Sequence, residues 1–179
     1  METKDEIQHY GNRNSGRYPR GSGKHPDKIF VSGTSKLHSK EDGYYRKTLP
    51  KEIAGHLDKL ISKGSTILVG DCVGVDSAVQ KHLFDKQYKN VEIYVSGDTV
   101  RNNADSDHKL GWKIHHVDAS KYEEGSKEWH AEKDKLMSSH ATSGLAVILD
   151  SGSSATRKNI DRLLNDNKNV DIYQLNADR

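Results

Sequence analysis

The apolar positions of this chain fall into short runs divided by polar turns, and from residue 28 onward two periodicities alternate. Ile29-Phe30-Val31, Thr66-Ile67-Leu68-Val69, Val91-Glu92-Ile93-Tyr94-Val95 and Gly144 to Leu149 are nearly continuous apolar runs, the pattern of strands covered on both faces. Between them, Ile53, Leu57, Leu60 and Ile61 recur at one-face helical spacing, with Pro50 near the start and Gly64 at the stop. Val75, Ala78, Val79 and Leu83 repeat the pattern, as do Ile160, Leu163 and Leu164. Trp112 to Val117 reads as a peripheral strand. Trp129, Lys133, Leu136, Met137 and His140 outline a helix capped near Ser126, and Val170-Asp171-Ile172-Tyr173 closes the series. Around Arg101 no helical period is present, so a loop stands there in place of a helix. Strands alternating with helices predict an α/β fold: a Rossmann-like three-layer domain over residues 28–179, with a mainly parallel sheet of about five to seven strands and right-handed crossovers. The run from Gly144 to Leu149 is the most apolar and is expected in the sheet interior.

The first 27 residues break this pattern. They contain almost no large aliphatic side chain beyond Ile7 and are rich in Gly, Asn, Ser, Arg and Lys, so they read as a flexible, basic extension outside the core. Within them, the segment from His9 to Gly23 is similar to short stretches near the start of various bacteriophage proteins, which bears on origin and not on activity. The whole chain has 28 basic and 26 acidic residues, a formal charge of +2. So even a balance provides no field of the kind that draws nucleic acid, while an anionic small ligand stays compatible. Cys72 is the single cysteine, which excludes an intrachain disulfide and a cysteine-built metal site and fits a reducing compartment. With no stretch apolar enough for a signal peptide or a membrane span, a soluble cytoplasmic protein is expected.

In an open parallel sheet, ligands lie beyond the carboxyl ends of the strands, where the loops converge. Four such loops are predicted neighbours. They carry Gly33, Thr34 and Ser35; Gly70, Asp71, Gly74 and Asp76; Ser96 and Gly97 followed by Arg101, Asn102 and Asn103; and Asp150, Ser151, Gly152, Ser153, Ser154 and Thr156. Glycines admit close backbone approach, hydroxyls and N–H groups at a helix start suit phosphate, an aspartate suits ribose hydroxyls, and Arg101 neutralises an anion. Each also has a plainer use: Gly33 and Gly70 in turns, Ser153 or Ser154 as a cap, Asp76 against a helix dipole. Asp134 either reaches this edge or pairs with His130 on a solvated face. The ten histidines are too dispersed to define metal ligands. Cys72 has no identifiable histidine partner and reads as a packing residue. Neither G-x-G-x-x-G after the first strand nor G-x-x-x-x-G-K-[ST] occurs, which disfavours ordinary dinucleotide or NTPase sites.

Taken in order, Ile29-Phe30-Val31-Ser32-Gly33, Leu68-Val69-Gly70-Asp71 with Gly74 and Asp76, Val95-Ser96-Gly97 with Arg101-Asn102-Asn103, Glu132-Lys133-Asp134 with Met137, and Gly144-Leu145 through Asp150 to Thr156 and Asn159-Ile160 resemble the SLOG superfamily. That Rossmann-like group takes in cytokinin-activating phosphoribohydrolases, DNA-processing proteins and nucleotide-sensing domains, and the resemblance spans about residues 28 to 175. It implies a nucleotide at the strand-end loops and self-association into a dimer or larger homo-oligomer. Two departures matter. Ala155 stands where the bacterial and phage subgroup of that superfamily, which the chain most resembles, usually has Gly, and Thr156-Arg157-Lys158-Asn159 lacks the glutamate that the phosphoribohydrolases place shortly after their Gly-Thr pair. The expectation is therefore a receptor that holds a nucleotide-derived molecule without cutting it, needing no cofactor, and plausible as a phage protein sequestering a host immune signal of the cyclic nucleotide or cyclic ADP-ribose type. A nucleotide N-glycosidase using Asp71, Asp134 or Asp150 is the alternative. Single-stranded DNA handling and a virion-associated structural role rank lower.

Overall fold

The structure, a computed structural model, describes residues 27–37, 49–149 and 152–175 and the backbone of residues 6–10. Its strands are β1 (Glu6–Tyr10), β2 (Lys28–Gly33), β3 (Thr66–Gly70), β4 (Val91–Ser96), β5 (Lys113–Val117), β6 (Ser143–Leu149) and β7 (Asn169–Leu175). The helices are α1 (Lys51–Ser62), α2 (Val75–Asp85), α3 (Lys127–His140) and α4 (Ser154–Asn165). All strands join one sheet in the order β1-β7-β6-β2-β3-β4-β5. The pairings from β7 to β5 are parallel, and β1 alone runs antiparallel, against β7. The result is a Rossmann-like three-layer α/β fold. Residues 6–10, which composition assigned to an extension, thus add a strand to the sheet: Ile7 stands opposite Tyr173 and Tyr10 opposite Val170. Strand pairing draws on backbone groups, which composition does not register.

Strand alternation sorts the core into two sides. Ile29, Val31, Ile67, Val69, Ile93, Val95, Leu145 and Val147 face α1 and α2, meeting Ile53, Leu57, Val75, Val79 and Leu83. Phe30, Leu68, Tyr94, Ala146 and Ile148 face the other way, onto Met137 of α3 and Ile160 and Leu163 of α4. Full burial of one such aliphatic side chain contributes roughly 1.5–3 kcal/mol, so the two seams fix which face each neighbouring polar residue presents.

The chain runs outward from β2 through β3 and β4 to β5, then α3 carries it back across the sheet to β6 on the other side of β2. Reversal of direction between β2 and β6 makes a crevice at their carboxyl ends. Thr34, just past β2, donates its N–H to Val147 O across that junction at 3.0 Å. From β4 to β5 the connection is a loop without helix, as the absent periodicity predicts.

Candidate functional site

Two glycines decide how closely the loops after β2 and β3 approach each other. A Cβ on Gly33 would lie 2.4 Å from the Val75 side chain, and one on Gly74, at φ 85°, would lie 2.5 Å from Thr34 O. With neither Cβ present, α2 begins directly against the β2 loop, and Val75 N donates to Thr34 O at 3.1 Å. Thr34 is buried, its hydroxyl accepting from Lys36 N, while Ser35 is exposed.

Gly70 lies on the α3 side of β3, two residues beyond Leu68. The space its missing Cβ leaves is filled by Asp76 Oδ2, 2.7 Å from that position, and by the Lys133 chain. There the structure assembles a compact charge cluster. Asp71, 1 % exposed, accepts from Arg101 N at 3.0 Å, Arg101 Nε at 3.3 Å and Arg101 Nη2 at 3.0 Å. Lys133, also buried, donates from Nζ to Asp71 Oδ1 at 3.3 Å and to Cys72 Sγ at 3.3 Å. Arg101 Nη2 reaches the same sulfur at 3.2 Å, and His130 Nδ1 lies 3.5 Å from Nη2. Asp76 Oδ2 accepts from Cys72 N at 3.2 Å.

These neighbours set the protonation states. Burial opposes ionisation of Asp71, yet the Arg101 hydrogen bonds and the charges of Lys133 and Arg101 outweigh it and hold its carboxyl below the ordinary value. For Asp76 burial prevails over the Lys133 charge and the Cys72 N–H, and pushes it up to about 7. Burial, with Lys133 and Arg101 nearby, pushes His130 down to about 4, so its ring is neutral at pH 7. Burial also raises the Cys72 thiol, followed by the Asp76 charge. Near neutral pH the cluster therefore sets the cations of Lys133 and Arg101 against the Asp71 carboxylate, with the ionisation of Asp76 opposed by burial, an excess of positive charge.

The loop bearing Arg101 is held from below by Gln80 of α2, a fully buried amide. Gln80 Nε2 donates to Gly70 O and Asn102 O, and its Oε1 accepts from Ala104 N. Asn102 Nδ2 donates to Asp71 O, and Asn103 Oδ1 accepts from Asp105 N. Ser96 and Gly97 serve α3 instead: Ser96 Oγ donates to Trp129 O at 2.8 Å, and a Cβ on Gly97, at φ 76°, would touch the Trp129 ring at 3.0 Å.

On the other side of the crevice, α4 begins at Ser154. Ser153 occupies its cap position in the left-handed region, φ 59°, and provides no side-chain cap; its Oγ accepts instead from Leu149 N at 3.1 Å. No acidic residue lies in the first turn. Arg157 fastens the entry by donating to Gly152 O and Leu149 O. Ser154 is exposed, Thr156 buried; Asp150 and Ser151 lie outside the described residues. Asp134 resolves to the seam between α3 and α4, bonded by the Asn159 side chain, and does not pair with His130; burial raises its carboxyl. Asn159 in turn donates to Ser32 Oγ at 2.9 Å.

Of the expected residues, the structure thus joins those after β2 and β3 with Arg101 and Asn102. Lys133 and Gln80, which sequence reasoning did not place in the site, complete the cluster. One signal for Lys133 was present: it falls on the helix face of Trp129 and Met137, an odd position for a charge unless a buried partner awaits it. Among the described residues, no buried side-chain nitrogen or oxygen lacks a partner, no group of three His, Cys, Asp or Glu is placed to hold a metal ion, and no helix is long and apolar enough to cross a membrane. Compared with protein-family models and with curated proteins, the chain matches none.

Proposed function

We propose that the carboxyl edge of the sheet binds a nucleotide-derived small molecule and does not cleave it. The observation that carries this reading is the excess positive charge of the Asp71–Arg101–Lys133 cluster at the strand ends, with the Arg101 side chain 39 % exposed and held in one orientation by a buried carboxylate. A guanidinium fixed in this way meets an anion with little loss of side-chain freedom. The amino terminus of α4, without a side-chain cap from Ser153, with Ser154 exposed and no acidic side chain in its first turn, adds a second anion-favouring element on the same edge. The SLOG-like order of the motifs supports the nucleotide class. Together with the phage-like segment at residues 9–23, it supports a cytoplasmic, self-associating protein that sequesters a host immune signalling nucleotide. Native mass spectrometry against linear and cyclic nucleotides tests it. The ligand is expected intact after the protein is denatured, and binding is expected to fall in Arg101→Ala; unchanged binding in that variant, or recovery of cleaved product alone, rejects the reading.

One observation favours hydrolysis as a second reading: Asp134 keeps a raised carboxyl at the α3–α4 seam. Asp71 is locked by its cationic partners, and Asp76 is enclosed under Gly70, so neither is placed as a mobile acid. Release of free base from a nucleoside monophosphate panel, abolished by Asp134→Asn, would establish hydrolysis; its absence removes it.

A further inference from the structure

The loop between β4 and β5 encloses, beside Arg101, a solvent-open cavity of about 470 Å³. Its walls combine three chemistries. Val100 and Ile114 are half-buried aliphatic surfaces. Arg101 contributes the guanidinium that Asp71 holds at both Nε and Nη2, so the planar group is fixed in place. Asn103, Ser106 and His108 bring an amide, a hydroxyl and an imidazole to the same space.

Their hydrogen-bonding state separates scaffold from reader. Asp105, fully buried, accepts from Leu110 N and Trp112 N and gives its backbone oxygen to His108 N, so the loop's shape is set from within. Asn103 Oδ1 is used on Asp105 N, but among the described residues its Nδ2, the Ser106 hydroxyl and the His108 ring have no protein partner. The cavity thus offers aliphatic contact, a fixed planar cation suited to stacking, and uncommitted donors and acceptors. A planar heterocycle satisfies all three, since its faces stack on a guanidinium or pack on aliphatic carbon and its edge exchanges hydrogen bonds. A bare phosphate uses only the cation and is far smaller than the space.

We infer that this cavity is the subsite for the nucleobase of the ligand, with Arg101 shared between the base and the anionic part at the Asp71 cluster. The inference rests on the nucleotide reading above and adds which surface reads the base. Titration calorimetry with AMP, GMP, CMP and UMP, and with ribose 5-phosphate as the base-less probe, tests it. Wild-type protein is expected to bind at least one nucleoside monophosphate about tenfold or more tightly than ribose 5-phosphate. Ile114→Trp, which fills the cavity, is expected to erase that advantage and leave ribose 5-phosphate affinity unchanged. Ser106→Tyr, at an exposed loop position that tolerates a larger side chain, is expected to do the same and guards against misfolding of the first variant. Equal wild-type affinity for all probes, or an advantage that survives both variants, overturns the base subsite while the anion site stands. If no nucleoside monophosphate and no ribose 5-phosphate binds, the base subsite is overturned, and the nucleotide reading stands or falls on the linear and cyclic nucleotides of the mass-spectrometry panel.

Discussion

Asp76→Asn isolates a buried carboxyl whose ionisation the fold opposes. The folded protein raises this carboxyl from about 3.8 to about 7, chiefly by burial. A group whose folded value is raised contributes stability that is fully present below its unfolded value and is lost as pH climbs through the folded one. The window therefore runs from about pH 4 to pH 7. A shift of about three units at 1.36 kcal/mol each amounts to about 4 kcal/mol of stability surrendered by pH 8. Asparagine is nearly isosteric, and its Oδ1 accepts from Cys72 N as the carboxylate does. It cannot ionise, so the pH-dependent loss disappears. Urea unfolding followed by fluorescence of buried Trp112 measures this directly. The variant is expected to match wild type within about 1 kcal/mol near pH 4 and to exceed it by up to about 4 kcal/mol near pH 8. Parallel stability curves for the two proteins across that range would refute the raised carboxyl, and with it the positive excess assigned to the cluster.

Arg101→Met removes the side-chain donors to Asp71 and leaves the backbone N–H and Lys133. The partial exposure of Arg101 discounts the cost to about 2 kcal/mol. Because Asp71 is depressed in the fold, the stability it contributes is lost as pH falls, and acid unfolding of the variant is expected to begin at higher pH; an unshifted acid midpoint counts against the pairing. Gln80→Leu strands Gly70 O, Asn102 O and Ala104 N, so faster amide hydrogen exchange is expected in the 97–105 loop, and unchanged exchange there refutes its anchoring role. Gly144→Ala drives a Cβ to 2.4 Å from Leu163 Cδ1, expected to cost about 1–3 kcal/mol by thermal or urea unfolding and to be largely rescued by Leu163→Val; additive losses would contradict the contact.

What the sequence made legible and what it hid divide along the range of the interaction involved. The buried strands announced themselves because each requires a continuous apolar run, and Ser126 announced a helix start because its cap partner, Trp129 N, lies three residues away. The part played by residues 6–10 was hidden, since their partner β7 enters the chain more than 150 residues later. Ser96 shows a middle case. As a hydroxyl at a strand end it suggested phosphate, but strand alternation puts it on the face of Tyr94, toward α3, and there its proton goes to Trp129 O. Counting periodicity carries more information about such a residue than its chemical type does.

The same reasoning explains why the charge cluster was only half legible. Gly70, Asp71 and Asp76 are local to one turn, so their grouping could be read from spacing, whereas Lys133 belongs to a helix that crosses back over the sheet to reach them. A lysine on the buried face of an amphipathic helix has to find a carboxylate or give up its charge. Asp71 is that carboxylate, and it is simultaneously the group that fixes Arg101. The topological return from β5 to β6 therefore does more than complete the sheet. It delivers the second cation that gives the cluster its positive excess, so the path of the chain and the affinity proposed for an anion have a common origin in one buried aspartate.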